Sequence, residues 1–191
     1  MANFTLHDET TAPGDARAKL EATKKSLGFI PSLYAVFAEN PALLEAYTTV
    51  GALFSKAGLS PLEQQVVTIT ASVENECHFC VAAHSTISEG QGLDMDVIAA
   101  VRDDRPISDA RLEALRRFTK QMVDQRGFVS DAELESFIAA GFDRAAVLAV
   151  ILGVSLKVMS NYTNHVAETP VNEQFQAHVW EPRAKRETAA A

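Results

Sequence analysis

The sequence lacks the features that mark several classes of protein. It has only two cysteines, and its 17 Lys and Arg are outnumbered by 25 Asp and Glu, which gives a formal net charge of −8. A face that binds nucleic acid needs clustered basic residues, so no nucleic-acid partner is expected. The two cysteines are three residues apart, so a structural disulfide between them would close a very small loop and stabilise the fold little.

Long apolar runs are lacking as well. The longest uncharged apolar stretch, Ala145 to Leu156, is well short of the roughly 20 residues that a membrane-spanning helix needs. The first residues have no basic segment followed by an apolar one, so they do not read as a secretory signal. We therefore expect a cytoplasmic protein with no membrane partner.

What remains is the composition of an ordinary folded domain. Hydrophobic residues make up 47% of the chain and charged residues 22%, which is typical of globular proteins. A length of 191 residues is enough for one domain with a substantial core. We expect a single domain over 1–191 whose last part, 171–191, is a C-terminal tail.

Apolar residues recur at intervals of three and four, and Gly and Pro fall mainly between these segments. This spacing predicts helices throughout and no strand. The clearest start is Ser60-Pro61-Leu62-Glu63, a capping serine followed by proline at the first helical position and a glutamate three residues after the cap. The helices are predicted at about 15–27, 41–57, 61–74, 78–89, 96–102, 109–126 and 144–167, with another between Ser130 and Gly141.

The chemistry concentrates on Cys77, Cys80 and His84. Residues three and four apart share a face of a helix, so these side chains are expected to line up. If this helix begins near Asn75, Cys77 falls in its first turn, where unpaired amides and the helix dipole favour a thiolate. His84 lies one turn after Cys80 and can accept its proton. A neighbouring thiol also lets an oxidised cysteine condense to a disulfide.

Other interpretations of these residues stay open. The two cysteines can be inert residues on a buried face. A zinc site is also possible, formed by Cys77, Cys80 and His84 with His165 as the fourth ligand, although no second ligand cluster is present. Otherwise His165, near the end of a long apolar helix, has either a capping role at the helix terminus or a place in a pocket.

Two stretches resemble the carboxymuconolactone decarboxylase and alkylhydroperoxidase D superfamily, in particular its peroxidase-related members with a CxxCxxxH motif. The core resemblance covers about 59–92 and is carried by Leu59 to Val66 and by Cys77 to His84. A looser resemblance covers 161–165, together with Thr169-Pro170. The decarboxylase branch lacks the cysteine pair, so the residues favour the redox branch.

The resemblance implies an all-α fold, a compact helical bundle that forms homo-oligomers. It also implies a thiol-dependent peroxidase in which Cys80 attacks a small-molecule hydroperoxide, Cys77 resolves the product as a disulfide and His84 takes part in a proton relay. A dithiol of unknown identity would supply the electrons, and neither a cofactor nor a metal is implied.

One position departs from the pattern of the family. The relay often includes a glutamate twelve residues before the first cysteine, where this chain has Gln65. An amide cannot exchange a proton as a carboxylate does, so the relay is expected to be shorter, to use water, or to draw on Glu63 or Glu74.

Two alternative functions remain: a decarboxylase-like lyase with His84 as acid or base, and a non-enzymatic thiol redox sensor.

Overall fold

The computed structural model describes residues 4–182 and confirms the all-α class. Within this range the chain forms nine α-helices and one short 3₁₀ helix, and no strand is present in it. The helices are α1 Gly14–Leu27, α2 Ser32–Phe37, α3 Pro41–Phe54, α4 Pro61–Glu74, α5 His78–Gly90, α6 Met95–Arg102, α7 Ala110–Asp124, α8 Asp131–Ala139 and α9 Arg144–Ala167, followed by the 3₁₀ helix Glu173–His178.

The predicted helix starts follow from their capping chemistry. The Ser60 side chain accepts a hydrogen bond from the amide of Glu63, and the Glu63 carboxylate accepts one from the amide of Ser60. Ser130 and Glu133 form the same reciprocal pair at the start of α8. Each pair satisfies amides that have no partner inside the helix.

Three features of the fold were not predicted. The helix α2 and the 3₁₀ helix were both missed, because each has only six residues and is too short to show helical periodicity. The predicted end of α3 near residue 57 was also wrong, because the helix ends at Phe54. The chain then turns through Ser55 toward Gly58, whose φ of 86° ends the segment.

The helix α4 lies at the centre of the bundle, and it packs against α5, α6, α7 and α9. Its buried residues run almost without interruption from Gln65 to Ser72. The helix α9 crosses α3 and α4 at Gly153, where a Cβ atom would lie 2.7 Å from Cγ1 of Val67. Only glycine permits so close an approach, and this crossing fixes the part of α9 that faces α5.

The end of the described chain is fixed to the bundle. Trp180 is buried, and its indole N–H donates a hydrogen bond to the carbonyl of Arg102 at 2.9 Å. His178 Nε2 lies 2.9 Å from a carboxylate oxygen of Glu89. The rest of the predicted tail, 183–191, lies outside the described residues.

By length and composition alone, α9 is long and apolar enough to cross a membrane. The apolar stretch seen in the sequence was shorter because it stopped at Leu156, whereas the helix continues past Lys157. Core helices of soluble proteins in general pass the same test of length and composition. In this structure α9 packs against α2, α3, α4, α5 and α7.

Candidate active site

A tight turn between α4 and α5 places the first cysteine. Glu76 adopts a left-handed conformation with φ of 54°, and the amide of Cys77 donates to the carbonyl of Ser72 at 2.8 Å. This reversal makes Cys77 the residue that caps α5. Cys80 and His84 follow on the first turns of that helix, as their spacing predicts.

The two cysteines are reduced and buried, with relative exposures of 0% for Cys77 and 2% for Cys80. The side-chain amide of Asn164, on α9, donates hydrogen bonds to both sulfur atoms, at 3.6 Å and 3.3 Å respectively. A donor shared between two sulfurs favours negative charge on one of them.

The surroundings favour ionisation of Cys80 over Cys77. Burial opposes ionisation of Cys80, but a hydrogen bond from Cys77, the positive charge of Lys157 and hydrogen bonds from Ser160 and Asn161 lower its pKa to about 5. The hydrogen bond to Cys80, together with burial, raises the pKa of Cys77 far above its ordinary value. The resting pair is therefore a Cys80 thiolate beside a Cys77 thiol.

His84 is held through both ring nitrogens. Its Nδ1 lies 2.9 Å from Oε1 of Gln65 and 3.4 Å from Oγ1 of Thr68, and its Nε2 lies 2.8 Å from Nζ of Lys157. Burial, and then the charge of Lys157, hold the pKa of His84 well below its ordinary value. A neutral imidazole that donates from Nδ1 to Gln65 and accepts at Nε2 from Lys157 satisfies these contacts.

Lys157 is a fully buried cation in the middle of α9. Its Nζ lies 6.0 Å from the ring centroid of Tyr47, on α3. Burial opposes its charge, but the negative charge of Cys80 and the neighbouring Tyr47 outweigh burial and raise the pKa of Lys157. The ammonium group and the Cys80 thiolate therefore stabilise each other.

A cavity of about 290 Å³ opens onto this group of residues. Cys80, His84 and Lys157 are among its polar residues, together with Thr86 and Gln174, whereas its walls are mainly apolar and include five aromatic rings. These rings belong to Phe29, Tyr34, Tyr47, Phe79 and Phe175. The cavity is suited to a small organic molecule with an apolar body and one polar group near the sulfur.

The three candidate relay residues have different surroundings. Gln65 contacts His84 directly, as described above. Glu63 caps α4 and also forms a 3.1 Å ion pair with Arg111, and Glu74 pairs with Lys120 at 2.8 Å. Neither carboxylate lines the cavity that holds Cys80, so the structure places only Gln65 beside the histidine.

His165 is exposed on α9 and does not line the cavity. This position separates it from the cysteines, with which it was considered as a zinc ligand. Within residues 4–182, no group of three or more His, Cys, Asp or Glu side chains is arranged to hold a metal ion.

The sequence analysis missed Lys157, Ser160, Asn161 and Asn164, which all lie on α9 beside the cysteines. These polar residues repeat at intervals of three and four along one face of an otherwise apolar helix, and all four are buried. A buried polar stripe of this kind was the signal in the sequence, since polar residues on a core helix need partners. The looser resemblance at 161–165 included only two of them.

Comparisons with known proteins agree with this description. The sequence profile described as the carboxymuconolactone decarboxylase family matches residues 41–121, which contain α3 to α6, both cysteines, His84 and most of α7. No protein of curated function matches the chain.

Several solved structures share the fold over almost the whole chain. One of them is the alkylhydroperoxidase AhpD core of a peroxidase-related protein from Ralstonia eutropha JMP134. It is 20% identical to this chain, the match covers 92% of this chain and 96% of that chain, and the TM-score is 0.76. A peroxidase-related protein from Silicibacter sp. TM1040 is 19% identical, with 93% and 94% covered and a TM-score of 0.79. The debrominase Bmp8 in complex with 2,3,4-tribromopyrrole is 12% identical, with 93% and 96% covered and a TM-score of 0.78.

Proposed function

We propose that this chain, whose residues 41–121 match the carboxymuconolactone decarboxylase family and whose fold is that of AhpD-like peroxidase-related proteins, is a thiol-dependent peroxidase that reduces a small organic hydroperoxide through a Cys77–Cys80 disulfide cycle. The observation that carries the proposal is the division of roles between the two sulfurs. Cys80 lines the cavity and its surroundings lower its pKa, whereas Cys77 does not line the cavity and its pKa is raised.

The first step forms a bond between sulfur and oxygen. The Cys80 thiolate attacks one peroxide oxygen, the O–O bond breaks, and the other oxygen leaves with a proton as an alcohol. Cys80 becomes a sulfenic acid. The sulfur of Cys77 then attacks the sulfur of Cys80, which forms the disulfide and releases water. A dithiol donor returns both cysteines to the reduced state by thiol–disulfide exchange.

The shape of the cavity supports an organic hydroperoxide rather than hydrogen peroxide alone. Hydrogen peroxide has no apolar group for the aromatic walls, whereas the body of an alkyl or aryl hydroperoxide can displace water from them. We expect kcat/KM to be higher for such substrates than for hydrogen peroxide.

A steady-state assay tests the proposal, with a panel of hydroperoxides and a panel of small dithiol reductants. We expect turnover in the wild type and none in Cys80→Ser. Stoichiometric formation of a disulfide with no turnover for any donor would instead indicate the redox-sensor function. Carbon dioxide release from a small organic acid, retained in Cys80→Ser and lost in His84→Ala, would indicate the lyase.

The aromatic walls of the cavity also favour a second candidate, reductive dehalogenation of a small aromatic ring, since a debrominase with the same fold has been solved in complex with 2,3,4-tribromopyrrole. The Cys80 thiolate would take the halogen from carbon as a sulfenyl halide while the carbon gains a proton. Cys77 would then displace halide and form the same disulfide. Disulfide formation with a brominated pyrrole, compared with cumene hydroperoxide under the same conditions, distinguishes the two reactions.

A further inference from the structure

Lys157 is a buried ammonium whose only negatively charged partner in the cavity is removed by the reaction itself. It is fully buried, and its Nζ contacts Nε2 of His84 at 2.8 Å. Among the described residues, no carboxylate lines the cavity. When Cys80 joins Cys77 in a disulfide, the thiolate charge disappears and no other anion replaces it.

The titratable groups that face Lys157 come from two helices. Helix α5 supplies Cys77, Cys80 and His84, and α3 supplies Tyr47. Tyr34, on α2, lines the same cavity, and burial raises its pKa, which keeps it neutral. The remaining side chains that bond to His84 come from α4 and are uncharged. Once the disulfide has formed, the two sulfurs carry no charge, and burial holds His84 and Tyr34 in their neutral forms.

A buried ammonium without a counter-charge is unstable, because burial disfavours the charged form of a lysine. The first chemical step creates an immediate acceptor for its proton, since breaking the O–O bond leaves an alkoxide in the cavity that Lys157 lines. The lysine has a proton to give at the moment when its charge loses its partner.

Building on the proposed function, we infer that Lys157 is a catalytic acid that protonates the leaving oxygen and stays neutral for as long as the Cys77–Cys80 disulfide exists. The balance closes without solvent protons. A Cys80 thiolate, a Cys77 thiol, the Lys157 ammonium and a hydroperoxide become a disulfide, a neutral lysine, an alcohol and water. Reduction by a dithiol reverses the change, and Lys157 regains its proton as the Cys80 thiolate reappears.

This inference predicts an unusual proton count. If Lys157 gives up its proton, oxidation of the thiolate form takes no proton from solution. If Lys157 stays charged, about one proton per disulfide must come from solvent. Reduced protein would be oxidised stoichiometrically near neutral pH in weak buffer with a pH-indicator dye, while the ultraviolet absorbance of the thiolate is followed in parallel.

We expect the thiolate absorbance to be present before oxidation and lost afterwards, with no proton uptake. A thiolate signal accompanied by uptake of about one proton per disulfide would show that Lys157 keeps its charge, and would overturn the inference. Absence of a thiolate signal, with no uptake, would show that Lys157 keeps the same charge in both redox states and would overturn it as well. Both readings use the wild type, so they do not depend on a variant that folds.

Lys157→Arg is the matched control, because a guanidinium keeps its charge in both redox states. We expect this variant to retain the thiolate signal and to take up about one proton per disulfide. Lys157→Met should lose the thiolate signal near neutral pH.

The measurement should be made with cumene hydroperoxide and, separately, with diamide, which forms disulfides from neighbouring thiols without being a peroxide. The proton count with diamide follows the same arithmetic, because diamide gains two hydrogens as the disulfide forms. Disulfide formation with diamide alone would contradict the peroxidase proposal while still testing Lys157. The failure of one proposal is thus separable from the failure of the other.

Discussion

Gln65 accepts the hydrogen bond of His84, with Oε1 2.9 Å from Nδ1 of the imidazole ring. The family that the sequence resembles often has a glutamate of the proton relay at this position, and the amide here takes the same place without its charge. The amide oxygen can accept a hydrogen bond but cannot take up the proton. It therefore fixes the tautomer of His84 with the proton on Nδ1, and it leaves Nε2 as the acceptor for Lys157.

Gln65→Glu should convert this contact into an ion pair and raise the pKa of His84. A carboxylate 2.9 Å from the ring favours the imidazolium, which then competes with Lys157 for the space beside Cys80. The titration of the His84 ring protons by NMR measures the shift. Gln64→Glu is the control, since it adds the same charge one residue away, where the side chain bonds to main-chain carbonyls of Ser55 and Leu59 instead. An unchanged His84 titration in Gln65→Glu would contradict the observed contact.

The reactivity of Cys80 should fall as the pH drops through about 5, because protonation removes the thiolate. Lys157→Met should move this midpoint upward, since the positive charge of Lys157 is one of the influences that lower the pKa of the thiol against burial. The rate of alkylation by iodoacetamide between pH 4 and 9 measures both midpoints. Lys56→Met provides a matched control on an exposed lysine. Coincident profiles for Lys157→Met and the wild type would refute the assigned role of Lys157.

The two cysteines should differ in their first reaction with peroxide. Cys77→Ser should still react once and accumulate a sulfenic acid on Cys80, because the ionised sulfur is retained while the resolving thiol is missing. Cys80→Ser should react much more slowly, because burial still raises the pKa of Cys77 and Cys77 does not line the cavity. Dimedone trapping followed by mass spectrometry locates the sulfenic acid. A dimedone adduct on Cys77 in Cys80→Ser, formed at the wild-type rate, would reverse the assignment.

Much of the fold was predictable because its signals are local. The start of α4 at Pro61, for example, is set by Ser60 and Glu63, which lie within four residues of each other. Both limits of α9 were also predicted, since Asp143 caps its start and the helical pattern persists to Ala167. The short helix α2 could not be predicted, because it is stabilised by burial of Leu33, Ala35 and Val36 against distant parts of the chain.

The site was predictable only where its residues are neighbours in sequence. Cys77, Cys80 and His84 were recognised from their spacing, whereas Lys157 lies 73 residues after His84. In the sequence Lys157 looks like an isolated charge that ends an apolar run. Its burial depends on the crossing of α9 with α3 and α4, which no local pattern encodes.

A homo-oligomer remains a prediction, and the structure suggests the surface that would form it. Apolar side chains on the outer face of α9 are exposed in the single chain, with relative exposures of 66% for Leu148, 42% for Ile151, 56% for Tyr162 and 69% for Val166. Helical spacing places all four on one stripe.

Leu148→Glu should therefore dissociate the oligomer, because it puts a charge into a buried apolar contact. Sedimentation velocity at micromolar concentration measures the change in mass. Leu53→Glu is the control, since Leu53 is similarly exposed, at 56%, but lies on α3. A monomeric wild type would contradict the prediction, and dissociation by Leu53→Glu alone would place the interface elsewhere.

Gly153→Ala should destabilise the protein although alanine is the better helix former. The added Cβ would lie 2.7 Å from Cγ1 of Val67 and 2.8 Å from the ring of Phe54, so α9 must move away from α3 and α4. Overpacking of this kind costs about 1–3 kcal/mol, which exceeds the roughly 0.5–1 kcal/mol that alanine gains over glycine inside a helix. Urea unfolding measures the difference.

Gly90→Ala is the matched control, because no atom lies within 4 Å of its Cβ position, and it should leave stability unchanged or slightly raised. Because Lys157 lies one turn beyond Gly153, the shift of α9 should also raise the pKa of Cys80, and slower alkylation near neutral pH would reveal it. A Gly153→Ala variant as stable and as reactive as the wild type would show that the close crossing does not position Lys157.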